Sequence, residues 1–340
     1  MATNDQSIES ILAAELESAN NTELQQSQAT ALKYYDAVIG PVAEGMSDLV
    51  SPDVREAVES TVAEIMGAIQ SNNILATFDP LTPDDFESAK VETEVVHRQI
   101  FGKNRGYIIL ESAIRDALLQ RYAVIRVDGG ETQVYLQSVA PENFRWSSDL
   151  TSPFLSEARF IAERQFITRA ELKNIGISKK KAYDAAENEP ADTAFLARYD
   201  QWNMMQPAAR QEDDVISVWW CYLRDNTDSG YICHMYVEPS LVLKSYKVDR
   251  HPYATGVTTL RPHRFDGLSL FDKLKQIQAT KTMLLRQLEL QAKFSSQARL
   301  AIRDRSVNPD DLQSDKLNPV IRCKNSPAED LLPLPIQQVH

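Results

Sequence analysis

The chain has 340 residues, 43% of them hydrophobic, enough for two or three folded units and a sizeable core. No run approaches 18 uninterrupted apolar residues, so nothing is expected to span a membrane, and MATNDQSIES lacks the basic-then-apolar order of a secretory signal. Three cysteines make no disulfide framework and point to a reducing cytoplasm, while a net charge of −12 excludes a generic nucleic-acid binder, whose affinity comes from neutralising phosphates.

That charge is unevenly spread. Residues 1–100 hold 18 Asp and Glu against 4 Lys and Arg, whereas residues 261–305 hold 10 Lys and Arg against 4 Asp and Glu. Contact with nucleic acid is therefore expected only locally, along the basic segment.

Helices are predicted first. Ile8, Ile11, Leu12 and Leu16 recur at helical spacing over residues 7–17, and a second helix covers 24–35. Ser51-Pro52 opens a third, with Ser51 as cap, Pro52 in the first turn and Val54, Val58, Val62, Ile65 and Met66 on the 3.6 period. Asp79-Pro80 and Thr82-Pro83 interrupt the chain before a helix over 84–100. Residues 102–106 read as a turn, and 107–120 as helix again.

The middle is mostly β. Residues 123–127 and 132–136 flank Asp128-Gly129-Gly130 as a hairpin. A strand is expected within 156–166, and Thr168 opens a short helix through the capping-box form of TRAEL. Residues 179–208 are polar and loose, a mobile excursion. Segments 215–223, 231–237 and 241–248 read as consecutive strands of one sheet.

A long helix then follows the loop RPHRFDGLS, within the stretch 261–294. At 100° per residue, Leu270, Leu274, Ile277, Leu284, Leu285, Leu288 and Ala292 form one apolar stripe, and Met283, Leu290 and Phe294 fall on the opposite side. One core needs one stripe. Two imply a helix held between neighbours, as in a ring of identical subunits. Lys275, Arg286 and Lys293 lie within about 20° of one another on a third face. Repeated around a ring they form bands of positive charge facing either DNA in the channel or capsid protein outside it; on a lone helix they are a solvated surface. Lys281 sits inside the first apolar stripe, where its ammonium must snorkel or find a partner. Beyond the helix, 298–305 and 319–323 read as short strands around a polar turn at 308–314, before a Pro-bearing tail.

Catalytic chemistry finds no support. His97, His234, His251, His263 and His340 form no metal-type spacing with Cys, Asp or Glu. Cys221 and Cys233 are expected to face each other across a hairpin as buried free thiols. No activating base or nucleophile motif accompanies the His251–His263 loop, which places a nuclease or other hydrolase far behind. No phosphate-cradling glycine motif is present, because Gly129-Gly130 joins two strands. Trp219-Trp220-Cys221-Tyr222 reads as sheet core or subunit contact rather than a base-stacking platform. No cofactor, metal or enzyme activity is expected.

The order of segments resembles the portal proteins of short-tailed phages. The likeness is carried by Tyr34-Tyr35, MSDLVSPDVREAVES (46–60), NRGYIILESAIRDALLQRYAVIRV (104–127) and EARFIAERQFITRAEL (157–172), then PHRFDGLSLFDKLKQIQATKTMLLRQ (262–287) and SVNPDDL (306–312). It spans nearly the whole chain, and its specificity lies in the series rather than in any single motif. Two features depart from it. Leu288-Glu289-Leu290 stands where family members commonly carry Asp-Asn after RQ-Leu, and no counterpart of the family's second stem helix, tunnel loop or helical crown is seen by His340.

The resemblance implies an α+β portal-like fold: a wing over 1–260, a stem helix with its preceding loop over 261–296, a clip over 297–325 and the start of a return segment over 326–340. It further implies a homo-oligomer, usually of twelve copies, at one capsid vertex of the virion, assembled in the host cytoplasm. Double-stranded DNA would pass through it without sequence specificity, and terminase, head-tail adaptor proteins and the major capsid or scaffolding protein would be its partners. The alternative is a non-enzymatic structural adaptor that oligomerises through its long helix.

Overall fold

The computed structural model describes residues 7–39, 47–71, 76–129, 133–178, 180–181, 215–225, 230–296, 300–302, 324 and 331–333. The loose segment at 179–208, most of the clip expected at 297–325 and the strand and turn expected at 319–323 and 308–314 lie largely or wholly outside these residues. The fold mixes helix and sheet, as expected. Contacts divide it into two units, residues 1–38 with 52–275 and residues 39–51 with 276–340.

The first unit opens with α1 (Ile8–Ser18), capped by Ser7, and α2 (Thr22–Tyr35), capped by Asn21, whose side chain accepts from the Leu24 N–H. Next come α3 (Asp53–Ser71), α4 (Phe86–His97) and α5 (Gly106–Gln120). Val54, Val58, Val62 and Met66 of α3 are buried with Ala31 of α2 and with Leu118 and Leu119 of α5, the faces that their spacing selects.

The expected turn at 102–106 is replaced by a π-helical stretch, Arg98–Lys103, leading into α5. Gly106 permits this passage, since a Cβ there would stand 2.6 Å from the Ile100 carbonyl oxygen.

Two antiparallel sheets complete this unit. The first joins β1 (Ala123–Gly129), β2 (Val134–Val139) and β8 (Tyr253–Gly256) in the order β2-β1-β8. The second joins β3 (Phe144–Trp146), β4 (Phe160–Thr168), β5 (Val215–Arg224), β6 (Tyr231–Val237) and β7 (Leu241–Val248) in chain order. The expected hairpin forms, but Gly129 stays in the ladder opposite Val134, which moves the second strand two residues on from its expected start. The strands β3 and β8 escape sequence reading because three or four residues are too few to display an alternation.

The five-stranded sheet is buried on both faces. Phe160, Ala162, Trp219, Cys221 and Tyr236 lie with Leu12 and Leu16 of α1, while Ile161, Tyr222 and Cys233 lie with Val124, Phe144 and Tyr253. Two-sided burial explains why 215–223 is a continuous apolar run rather than an alternating one. It also overturns the expected pairing of the thiols. Cys221 stands opposite His234 and Tyr222 opposite Cys233, so the two cysteines point to different faces. Between the sheets, Glu163 is buried and accepts from Arg126 Nη1 at 2.6 Å and from the Tyr253 hydroxyl at 2.7 Å, so a charge within the core has its partners. A short helix, α6 (Arg169–Asn174), starts at the capping box formed by Thr168 and Glu171.

The long helix, α7 (Leu270–Ser296), begins in the first unit and continues in the second. The second unit also contains β9 (Leu300–Ile302) paired with β10 (Leu331–Pro333). The expected first strand of the pair is present; its partner among the described residues comes from the segment read as a tail.

Candidate functional site

The start of α7 is fixed by charge and by shape. Ser269 and Asp272 form a reciprocal cap: Ser269 Oγ accepts from the Asp272 N–H at 3.1 Å, and Asp272 Oδ2 accepts from the Ser269 N–H at 3.2 Å. Arg121 closes α5 in the left-handed region at φ 82° and donates to both oxygens of Asp272, each at 2.9 Å. It also donates to Asp266 at 3.3 Å, and Asp266 is further paired with Arg261 and Arg264. Burial alone would raise the Asp272 pKa, but hydrogen bonds from Arg121 and Ser269 hold this carboxyl below its usual range. Gly267 completes the bend. A Cβ there would stand 2.7 Å from the Thr259 oxygen and 2.9 Å from the Arg121 oxygen, so the RFDGLS loop closes only around a glycine.

The first turn of α7 behaves as an ordinary core helix. Phe271 is buried, meets Tyr34 edge-on at 5.3 Å between centroids, and shares its cluster with Leu270 and Leu274. Lys275 is exposed, with Nζ 5.9 Å from the centroid of the Phe271 ring one turn back.

Further along, the pattern inverts. Gln278 is 0% exposed and Thr282 3% exposed, whereas Ile277, Met283, Leu284 and Leu288 are each more than half exposed. The buried polar groups have partners within this unit: the Ser51 N–H donates to Thr282 Oγ1 at 3.2 Å, and Arg286 donates to the Leu49 oxygen at 3.0 Å and the Ile39 oxygen at 3.5 Å. Ile39, Leu49 and Ser51 thus hold to α7 through their backbone groups, as a strap.

Leu290 is half-buried; the Phe294 side chain lies outside the described residues. Lys281 is exposed, and Lys293 is exposed with Nζ 3.8 Å from Glu289. The apolar stripe divides: Leu274 belongs to the core at the base of α7, while Ile277, Leu284 and Leu288 stay bare. Sequence reasoning missed the inward role of Gln278 and Thr282 and the strap itself. The sequence signal was slight, because Gln278 and Thr282 share their face with Glu289 and Arg286 and read there as a solvated surface.

Outside α7, His234 and His251 are held by packing and hydrogen bonds. His234 Nδ1 lies 2.8 Å from Ser245 Oγ, and burial lowers its pKa. The His251 ring packs against Tyr231 and Tyr253 and accepts from the Tyr253 N–H, with its pKa also lowered by burial. A cleft of about 670 Å³ lies against the start of α2, Trp146 and His263, and no nucleophile and base pair there. Among the described residues, no three His, Cys, Asp or Glu are grouped to hold a metal, and no helix is long and apolar enough to cross a membrane.

No curated protein matches the chain. A family model does: the one described as phage SU10 portal protein matches residues 8–135 and 128–340. The two matches together run almost from end to end, and they agree with the portal likeness carried by the order of segments. The chain belongs to the phage SU10 portal protein family.

Proposed function

We propose that this portal protein is one subunit of a ring at a single capsid vertex, through which double-stranded DNA enters during packaging and leaves on ejection. The observation that carries the proposal is the inversion along α7. A helix that buries Gln278 and Thr282 while leaving Ile277, Met283, Leu284 and Leu288 bare calls for a further apolar surface to cover it, as the packed stems of a ring supply. Ile277, Leu284 and Leu288 mark one flank, and Met283, with Leu290 and Phe294 beside it, marks another about 120° around the axis at 100° per residue. A subunit that touches two neighbours through two different patches makes a head-to-tail contact, the kind that closes into a ring.

Size limits the copy number. With one helix of each subunit on the channel wall, packed at about 10 Å, twelve copies close around a hole about 28 Å wide, which admits a duplex about 20 Å across. Six copies at the same spacing leave about 10 Å, too narrow for a duplex. Twelve, the family's usual number, fits.

In this reading residues 1–260 form the wing, 261–296 the stem and 297–325 the clip, with 326–340 starting a return segment. The clip meets terminase and later the head-tail adaptors, the wing meets capsid or scaffolding protein, and the virion is where the ring resides. The chain performs no chemistry itself. Negative-stain imaging and light scattering of the purified chain test this, with a closed ring of about twelve copies as the expected particle. A strict monomer at every salt concentration would refute it, and a dimer or trimer would favour the adaptor role.

A further inference from the structure

The acidity of the first hundred residues is dense around α4. Residues 78–95 hold six Asp and Glu against the single Lys90. Of α4 itself only Ala89 and Thr93 are buried. At about 100° per residue, Val91 and Val95 lie about 40° apart on the opposite side, 58% and 39% exposed. Glu87 and Glu94 border this ridge on one side and Glu92 on the other, all of them exposed. Resting on the portal reading above, we infer that the acid-bordered ridge is one half of a contact between neighbouring subunits. The other half is the basic start of α5 with the edge strand β2 beside it.

This second surface follows the π-helical stretch. Lys103 and Arg105 are both exposed. Between them Asn104 fastens the chain to β2: its Nδ2 donates to the Val134 oxygen at 2.7 Å, and its Oδ1 accepts from the Leu136 N–H at 3.1 Å. The same Nδ2 donates to the Gln99 oxygen at 2.6 Å. Arg105 stands at φ 52°, a left-handed conformation that costs a residue with a side chain and persists where neighbouring bonds hold it. Ile108, whose N–H donates to the Arg105 oxygen, is 61% exposed. Tyr135, between the two β2 residues that Asn104 holds, is 58% exposed. Two cations and two large apolar groups thus stand on one fixed frame.

The ridge is turned away from the basic surface of its own subunit. The His97 ring stacks on Phe101 at 4.9 Å, and Phe101 on Tyr107 at 4.5 Å, which joins the end of α4 to the start of α5. Val91 and Val95 stand about 120° and 160° around α4 from His97, so they face away from that junction. A second copy supplies what the ridge lacks: cations for its carboxylates and apolar groups for its valines. Opposite charges attract across such a contact, while ridge on ridge or base on base repels. Two unlike patches that match only each other make a head-to-tail contact, in which every subunit gives its ridge to one neighbour and receives the ridge of the other.

The test uses the full chain, with rings counted by negative-stain imaging and the fold of each variant checked by its melting transition. Glu87→Lys with Glu94→Lys makes both surfaces basic, and Lys103→Glu with Arg105→Glu makes both acidic. Each variant alone should give at least about tenfold fewer rings than wild type at low salt, because like charges then meet at every contact. The deficit should shrink as salt rises. An equimolar mixture of the two should restore rings, since alternating subunits present opposite charges at each contact, whereas mixing repairs no folding defect. One further variant changes no charge: Val91→Ser with Val95→Ser should also lower the ring yield while the melting of the subunit stays as in wild type. Wild-type ring yield from any of the three variants, or a mixture no better than its parts, overturns the inference and leaves the portal reading intact. A lysine variant that forms rings normally but no longer binds capsid protein overturns it too, and gives the ridge to that partner. Failure of the wild-type chain to form rings overturns both.

Discussion

The body of the first unit and the far part of α7 obey opposite rules of burial. In the body, Phe160, Ile161 and Tyr236 are fully buried, and the buried charge on Glu163 is held by Arg126 and Tyr253. Along α7, Gln278 is fully buried and Leu288 is 61% exposed. One chain folded in one solvent does not reverse the hydrophobic effect between two segments. The difference is what the proposed ring accounts for: the body buries its own apolar groups, and the far part of α7 leaves its own bare.

The largest effects break that comparison with the same kind of substitution in both places. Val58→Asp puts a carboxylate into a site that is 0% exposed, and should unfold the body, with loss of the cooperative melting transition in circular dichroism. Leu288→Asp introduces the same charge at an exposed position, and should move the melting of the isolated subunit by no more than about 0.5 kcal/mol. Its effect belongs to assembly: imaging should show subunits in place of rings. If Leu288→Asp rings formed normally, the bare flank would have no part in the contact.

The junction between the two regimes comes next in size. Asp272→Asn removes a bidentate partner of Arg121 and weakens the cap of α7, and should cost about 2–4 kcal/mol in chemical denaturation. The sign of its pH dependence follows from its lowered pKa. A carboxylate whose folded pKa lies below its unfolded value, about 3.9, contributes stability that is fully present above that value and lost as pH falls through the folded one. Hydrogen bonds from Arg115 and Tyr35 lower Glu59 in the same sense. Wild type should therefore lose stability on acidification below about pH 4, and Asp272→Asn should lose less while keeping the part due to Glu59.

How much of this could be read from the sequence depended on whether the cause was local. The helix at Val54, Val58, Val62 and Met66, the Thr168–Glu171 cap and the strands at 215–224 and 231–237 follow from spacing and capping alone, and the structure has them. The faces of Cys221 and Cys233 could not be assigned, because the register between β5 and β6 depends on both loops and on what covers each face. The candidate site shows the same division. A 3.6-residue period reveals two apolar flanks on α7 but not which arc is covered. That depends on Ile39, Leu49 and Ser51, some 230 positions earlier in the chain, and no local pattern announces such a contact. The basic stripe was visible as a stripe, but not that one member, Arg286, is engaged with the Leu49 and Ile39 carbonyls.

The smallest effects sharpen the comparison at the strap. Thr282→Val keeps the shape of the side chain and removes the acceptor of the Ser51 N–H, a group within a residue that is 7% exposed. An amide left without a partner there costs about 1–2 kcal/mol, which should appear as roughly tenfold faster hydrogen exchange at Ser51, with the amides of α3 unaffected. Arg286→Gln should do less, because the Leu49 and Ile39 carbonyls it releases belong to an exposed and a half-exposed residue and can turn to water. An exchange change confined to residues 47–51 in both variants would show that the polar face of α7 holds the strap. If Thr282→Val left Ser51 exchange unchanged, the bond from Ser51 to Thr282 would carry none of the protection, and the strap would be held elsewhere.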